Sequence, residues 1–236
     1  MSAKSIIVGI AFNSRSRTGT EWEIGLTKPW IKYRMSIFMK YTLQSLKKQT
    51  NQEFAALIRY AEASEDLIRE TLDQYEPLPN NIQFIPGKKN IEIQKTLSRG
   101  CENLYLVRLD CDDTFHKSFI QQLHDYKPKP GICALINQEG YVYDSLNHRI
   151  ASVIKPSPPF FTWIYNAEEY FNGKRYNVGG THGTVIQYPH EILTNKKKRN
   201  YMIVLHERNK INQKMLMLDT FEEKPTKVNA ILENFI

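Results

Sequence analysis

The stretch Leu104–Phe119, LYLVRLDCDDTFHKSF, decides the fold. An apolar run from Leu104 to Leu109 ends in three carboxylates, Asp110, Asp112 and Asp113. Phe115, Phe119 and Leu123 then recur at helical spacing and Tyr126 extends the stripe. The pattern is a buried strand that delivers an Asp-x-Asp-Asp cluster to its carboxyl end, with a helix leaving at once. Close like charges repel, and each raises the pKa of its neighbours, so packing alone does not gather three acids there. A divalent cation removes that penalty, and Mg²⁺ or Mn²⁺ takes carboxylate and phosphate oxygens as ligands. Turn chemistry is the other reading. Asp113 stands where a helix N-cap belongs, and Asp110 can close a turn.

The chain's 236 residues are enough for one α/β domain with a good core. Apolar residues make up 41% and charged residues 24%, an ordinary globular balance. No apolar run approaches the roughly 18 residues of a membrane span, and the N-terminus lacks the cleavage pattern of a signal peptide. The net charge of +7 favours a polyanionic ligand or surface. The basic run Lys196–Arg199 reads as a solvated loop. The 3 cysteines, Cys101, Cys111 and Cys133, lack paired spacing, which argues against a disulfide framework or a zinc site and fits a reducing cytoplasm.

Outward from the acidic stretch, the first half alternates strand and helix. Ser5–Phe12 and Phe54–Tyr60 read as buried strands and Ile82–Ile85 as a short third. Between them, Asn13–Lys28 reads as a polar loop carrying Arg15 and Arg17. Trp30–Gln49 reads as a helix with the stripe Met35, Phe38, Met39, Leu43 and Leu46. A second helix is capped by Ser64 and ended by Pro77 and Pro79, and a third covers Ile91–Arg99. This β-α-β-α-β-α-β order predicts a mostly parallel sheet with right-handed crossovers. The second half reads as a meander of Gly131–Asn137, Tyr141–Tyr143 and Arg149–Ile154. It continues with the aromatic segment PFFTWIY, a Tyr-, Gly- and Asn-rich stretch to Gly180, a last strand Tyr201–His206 and a short helix within Lys227–Ile236. No composition break divides residues 1–236, so they read as one domain, with an alternating α/β half over residues 1–113 and a mixed β half over 114–236.

Four stretches in order, RMSIFMKYTLQSLKKQTNQEF, LVRLDCDDTFHKSF, GYVYDSLNHRI and IVLHERNKIN, carry a family resemblance over about residues 30 to 212. The chain resembles glycosyltransferases of the GT-A fold, and within the family-2-like enzymes the rhamnosyltransferase group. RLDCDD is the most specific of the matching motifs. The resemblance implies an α/β fold whose mostly parallel sheet is flanked by helices and followed by a mixed β half, residues 1–113 being the nucleotide-binding half and 114–236 the acceptor half. It also implies that Asp110 and Asp112 are the acids of a DxD motif, holding Mn²⁺ or Mg²⁺ against a donor diphosphate or contacting the ribose. Asp113 is then a supporting acid or a helix cap. His206 completes the metal shell, with Asn209 just beyond it; a strand-end imidazole bonded to backbone is the other reading of His206. Two positions depart from the pattern. The second strand ends in Arg59-Tyr60-Ala61-Glu62 instead of directly in an acid, so either Glu62 substitutes in holding the base or base recognition differs, and Glu207 stands where a glycine is expected.

The strand-end rule for open sheets places the nucleotide base near Phe12, Asn13 and Glu62. At least one of Arg34 and Arg108 is expected to face the phosphates or the acid cluster, a buried ion pair being the alternative for Arg108. The candidates for the base that takes the acceptor's proton are Glu168, Glu169 and His182. The sequence thus points to a metal-dependent transfer, inverting in stereochemistry, of a hexosyl or rhamnosyl group from a nucleoside diphosphate-sugar donor to a saccharide or other hydroxyl acceptor. No nucleic acid partner is implied. A non-catalytic nucleotide- or carbohydrate-binding module and a metal-dependent nucleotidyltransferase are the alternatives.

Overall fold

Uninterrupted β-branched residues give SIIVGIA no polar face, and as strand β1 (Lys4–Ala11) it lies inside a sheet, paired on both sides. The computed structural model describes residues 4–14, 19–176, 182–193, 199–209, 215–216, 218 and 220–236. Arg15, Arg17, Gly179–Thr181 and Lys196–Lys198 lie outside the described residues. The segment expected to be a loop after β1 contains helix α1 (Thr20–Gly25). Helix α2 (Lys28–Ile37) follows with a proline in its first turn, passes through a π-helical turn at Phe38–Thr42, and continues as α3 (Leu43–Lys47). Next come β2 (Ala55–Tyr60), α4 (Glu65–Leu72), β3 (Ile82–Pro86), α5 (Asn90–Leu97) and β4 (Asn103–Asp110). Ser64 precedes α4 without capping it by its side chain. Its hydroxyl donates instead to the Ala61 carbonyl.

The helix predicted to leave the acid cluster at once does not. A two-residue strand, β5 (Thr114–Phe115), intervenes, and α6 (Phe119–Asp125) starts after Ser118. Asp113 is therefore not its cap. The remaining elements are β6 (Ala134–Ile136), β7 (Glu139–Asp144), β8 (Arg149–Ile154), β9 (Phe161–Asn166), α7 (Ala167–Phe171), β10 (His190–Ile192), β11 (Tyr201–Leu205) and α8 (Pro225–Leu232).

The large sheet has the order β10-β6-β9-β4-β1-β2-β3. Its first-half strands β4, β1, β2 and β3 are parallel, and β9 runs antiparallel to both β4 and β6. A second sheet has the order β5-β11-β7-β8. The expected meander is thus divided. Ala134–Ile136 joins the large sheet, and only β7 and β8 pair as an antiparallel hairpin. The aromatic segment PFFTWIY supplies β9, whose first five residues are all buried, so it is core.

The apolar stripe of α2–α3, Met35, Phe38, Met39, Leu43 and Leu46, packs with Val8, Ile10, Val107 and Leu109 of the large sheet and with Val142 and Ile203 of the second. One cluster thereby ties the two sheets together. On the large sheet, Ile7, Leu57, Leu104 and Trp163 form a separate cluster with Tyr170 of α7. Val228, Leu232 and Phe235 of the C-terminal segment seal the second sheet against Tyr143, Met202 and Val204. Both β4 and β11 end at the seam between the sheets, carrying Asp110–Asp112 and His206 to it.

Candidate active site at the carboxyl ends of β4 and β11

Helix α2 presents Arg34 to the acid cluster. Its Nη1 donates to Asp112 Oδ2 at 3.1 Å and its Nε to Cys111 Sγ at 2.9 Å. His206 arrives from the second sheet with Nε2 3.3 Å from the same Asp112 oxygen and 3.5 Å from Arg34 Nη1. A hydrogen bond of 2.9 Å joins the other ring nitrogen, Nδ1, to the Tyr33 hydroxyl. A hydroxyl both donates and accepts, so Tyr33 serves His206 in either tautomer. Arg208 lies over the Tyr33 ring, 4.3 Å from its centroid. Asp110 faces elsewhere. Both its oxygens lie 3.2 Å from Arg108 Nη2, and Arg108 Nη1 donates to the Pro159 carbonyl at 2.8 Å. Both arginines thus reach the acid cluster, Arg34 at Asp112 and Arg108 at Asp110.

The electrostatics follow from this pairing. Burial pushes the Asp112 carboxyl up, but Arg34 and then His206 outweigh it and hold the group below the usual carboxylate range. Burial opposes the charge on Arg34, yet Cys111 and Asp112 beside it raise its pKa further. Asp113 goes the other way. Burial, then the charges of Asp112 and Asp110, lift it well above the ordinary range and favour its neutral form, while one oxygen accepts the Val204 amide at 3.1 Å. Asp113 is therefore a tie between the acid turn and β11. Burial pushes the Cys111 thiol to about 11, so it stays protonated near neutral pH. The repulsion that called for a cation in the sequence is relieved here by two guanidiniums and by the burial that disfavours charge on Asp113.

The remaining candidates separate sharply. Asn13 is fully used inside the protein: Nδ2 donates to Gly25 O and Ser64 Oγ, each at 3.0 Å, and Oδ1 accepts the Ala61 amide at 2.9 Å. Phe12 is 4% exposed and packs edge-on against Trp30 and Phe84. Neither is available to a base as expected, because the turn after β1 is folded inward. Glu62 does line a cleft of about 140 Å³ with Ser14, Trp22, Arg59, Tyr60 and Gly87, and it accepts the Lys88 amide at 2.8 Å. Arg59 also lines a second cleft of about 290 Å³ with Asn90 and Arg108. Sequence reading missed Arg59, Trp22 and Tyr33. Arg59 carried a signal, since the penultimate position of a parallel strand beside Ala11 ends at the ligand-binding edge.

Glu168 is the clearest correction. β9 runs antiparallel to β4 with Asn166 opposite Asn103, so α7 begins at the amino end of β4. Seven residues of strand separate that end from Asp110, roughly 23 Å at about 3.3 Å per residue. Glu168 and its neighbour Glu169, which pairs with Lys174, cannot serve the acid cluster. His182 is exposed, and its carbonyl accepts the Ser157 hydroxyl at 2.9 Å, two residues before Pro159 meets Arg108. Asn209 holds the turn after β11, donating from its amide to His206 O at 2.9 Å.

The model of a family described as "Putative rhamnosyl transferase" matches residues 11–215. The chain belongs to this family. No protein of curated function matches it in sequence. Among solved structures, TarS of S. aureus in complex with UDP-GlcNAc is similar at 12% identity and a TM-score of 0.44, covering 98% of this chain and 70% of that one. A 4-diphosphocytidyl-2C-methyl-D-erythritol synthase from Anaerococcus prevotii is similar at 15% identity and a TM-score of 0.38, with 98% and 96% covered. A protein of Desulfovibrio desulfuricans described as a "putative nucleotide-diphospho-sugar transferase" shows 15% identity and a TM-score of 0.34, with 87% and 80% covered.

Among the described residues, no group of three or more His, Cys, Asp or Glu side chains converges as a metal cage, and no helix is long and apolar enough to cross a membrane. Two groups do converge. The 3.3 Å between Asp112 Oδ2 and His206 Nε2 suits two ligands of one ion at about 2.1 Å each. Mg²⁺-type sites use one or two carboxylates and leave the remaining positions to phosphates and water, so this donor set fits a cation that arrives with a diphosphate.

Proposed function

We propose that this member of the rhamnosyl transferase family moves a sugar, rhamnose or another hexose, from a nucleoside diphosphate to a hydroxyl of a saccharide or similar acceptor. The observation that carries the reading is the meeting of Asp112 and His206 from two different sheets. A strand-end carboxylate and a buried imidazole that share one oxygen-to-nitrogen gap are a poor core and a good diphosphate-side cation site. Asp112 and His206 would hold Mn²⁺ or Mg²⁺ there, and the bound ion supplies charge neutralisation to the departing diphosphate. Arg108 orients Asp110 beside the site. The cleft between Trp22, Arg59 and Glu62 takes the nucleoside, with Glu62 the acceptor for its polar groups. His182 is the candidate general base, receiving the acceptor hydroxyl's proton as that oxygen attacks the anomeric carbon from the face opposite the diphosphate. Such an attack inverts the anomeric centre.

Product analysis tests this directly. Nucleoside diphosphate-rhamnose and -hexose donors are incubated with the protein, Mn²⁺ and a panel of saccharides. Release of nucleoside diphosphate with a glycosylated product supports the reading. Pyrophosphate in its place means nucleotidyl transfer, and binding with no product means a recognition module.

A further inference from the structure

The guanidinium of Arg34 sits where a cation bound to Asp112 would need to be. It donates to Asp112 Oδ2 at 3.1 Å and lies 3.5 Å from His206 Nε2, the two groups read above as cation ligands. A dication and a guanidinium repel when both crowd one carboxylate oxygen, so the same site cannot hold both in this arrangement. The other anchors of Arg34 are weak. Its Nε donates to the sulfur of Cys111, a poor acceptor, and its side chain keeps 22% of its surface exposed. One strong bond and a long flexible stem leave it able to turn toward a phosphate, which a guanidinium binds bidentately.

We propose that Arg34 is the resident cation of the free site. It neutralises Asp112 until a diphosphate draws it off, so the divalent ion enters together with the diphosphate and not ahead of it. The order of assembly follows. Mn²⁺ alone meets an occupied Asp112, whereas an Mn²⁺–diphosphate complex brings a new partner for Arg34 and a new cation for Asp112 in one step. Arg34 then lies against phosphate oxygens and adds its charge to that of the ion. This inference rests on the reading of Asp112 and His206 as the cation's ligands.

The test is metal binding, with no turnover involved. Mn²⁺ alone is titrated into nucleotide-free protein and followed by its electron paramagnetic resonance signal, for wild type, Arg34→Gln, Arg34→Lys and the double variant Arg34→Gln/Asp112→Asn. Arg34→Gln is expected to bind Mn²⁺ at least tenfold tighter than wild type. Arg34→Lys, which keeps the charge, is expected to stay within about threefold of it. Equal affinities in wild type and Arg34→Gln overturn the proposal. If the double variant still binds as tightly as Arg34→Gln, Asp112 is not the ligand and the underlying reading fails instead. A measurement on wild type alone covers the case of a misfolded variant. By calorimetry, preformed Mn²⁺–pyrophosphate should bind at least tenfold tighter than Mn²⁺ alone, and equal affinity overturns the gate.

Discussion

Asp112 and Gly140 test the two kinds of single-residue statement the structure supports, one chemical and one steric. Asp112→Asn keeps the shape and one acceptor oxygen but removes the charge that Arg34 uses and that the proposed cation would use. Transfer activity at saturating Mn²⁺ should fall by about a thousandfold, roughly 4 kcal/mol in the barrier. His206→Ala should weaken apparent Mn²⁺ affinity by about tenfold with a smaller loss of maximal rate. Rate measured against Mn²⁺ concentration decides both, and wild-type activity in excess chelator would remove the metal from the account. Gly140 is different in kind. A Cβ built there would stand 2.3 Å from the Tyr201 ring, and that ring cannot yield because it stacks on Phe160 with centroids 3.9 Å apart. Gly140→Ala should cost about 2–3 kcal/mol, read as a lowered urea midpoint. The two residues also differ in legibility. Asp112 stood out because three acids after an apolar run have few explanations. Gly140 did not, since the contact that requires a glycine comes from a strand some sixty residues on.

At the scale of elements, the α2–α3 helix shows what a sequence hides. Its apolar stripe was readable from spacing, and every member is buried. Its second stripe is polar and was not read. Thr42 Oγ1 donates to Asp113 O at 2.9 Å, Ser45 Oγ donates to Phe115 O at 3.0 Å and accepts the Phe115 amide at 2.8 Å, and Gln49 donates to His116 O while accepting the Ile120 amide. These side chains are 4% exposed or less. They replace the ladder partners that the acid turn and β5 lack on that side, which fixes Asp112 relative to Arg34 on the same helix. Ser45→Ala leaves a buried amide and a carbonyl unmet and should cost about 2–3 kcal/mol, with the loss visible in chemical denaturation. The β7–β8 hairpin depends on a charge. Fully buried Asp144 takes Arg149 Nε at 2.8 Å and Asn147 Nδ2 at 2.7 Å. Burial works against its ionised form, but these hydrogen bonds outweigh burial and hold its carboxyl below the ordinary value. A depressed folded pKa means the stabilisation is complete above the unfolded value of about 3.9 and is lost as pH falls through the folded one. Asp144→Asn should therefore lower stability at pH 7 and flatten its decline below about pH 4, measured as unfolding free energy against pH. An unchanged acid decline would show that other carboxylates carry it.

For the molecule as a whole, the parallel first half was legible and so were β7, β8, β11 and α8 of the second, but the division of the second half between two sheets was not. Buried strands of a parallel sheet read as continuous apolar runs, so β1 to β4 could be recognised from the sequence; their order could not, since β4 lies beside β1 and not beside β3. Beyond Asp113 the strands are 2 to 6 residues long and divide between two sheets. Spacing alone cannot say that Ala134–Ile136 goes to one sheet and Glu139–Asp144 to the other. The same division placed Glu168 near the wrong end. It also built the site, because His206 reaches Asp112 only where β11 of the second sheet meets the end of β4. A ligand that joins these two ends binds the assembled seam and has no counterpart in the unfolded chain. Its binding therefore appears as stability of the entire protein, by about 2.7 kcal/mol at a hundredfold excess over its dissociation constant. For a chain of this length each kcal/mol shifts the melting midpoint by roughly 2–4 °C, so a matching nucleoside diphosphate with Mn²⁺ should raise it by about 5–10 °C. Omitting either component should reduce the shift to about 2 °C or less. A thermal melt of wild type and Asp112→Asn across a panel of nucleoside diphosphates, each with and without Mn²⁺, reads this out. A shift in Asp112→Asn as large as in wild type would mean that the nucleotide binds away from the seam.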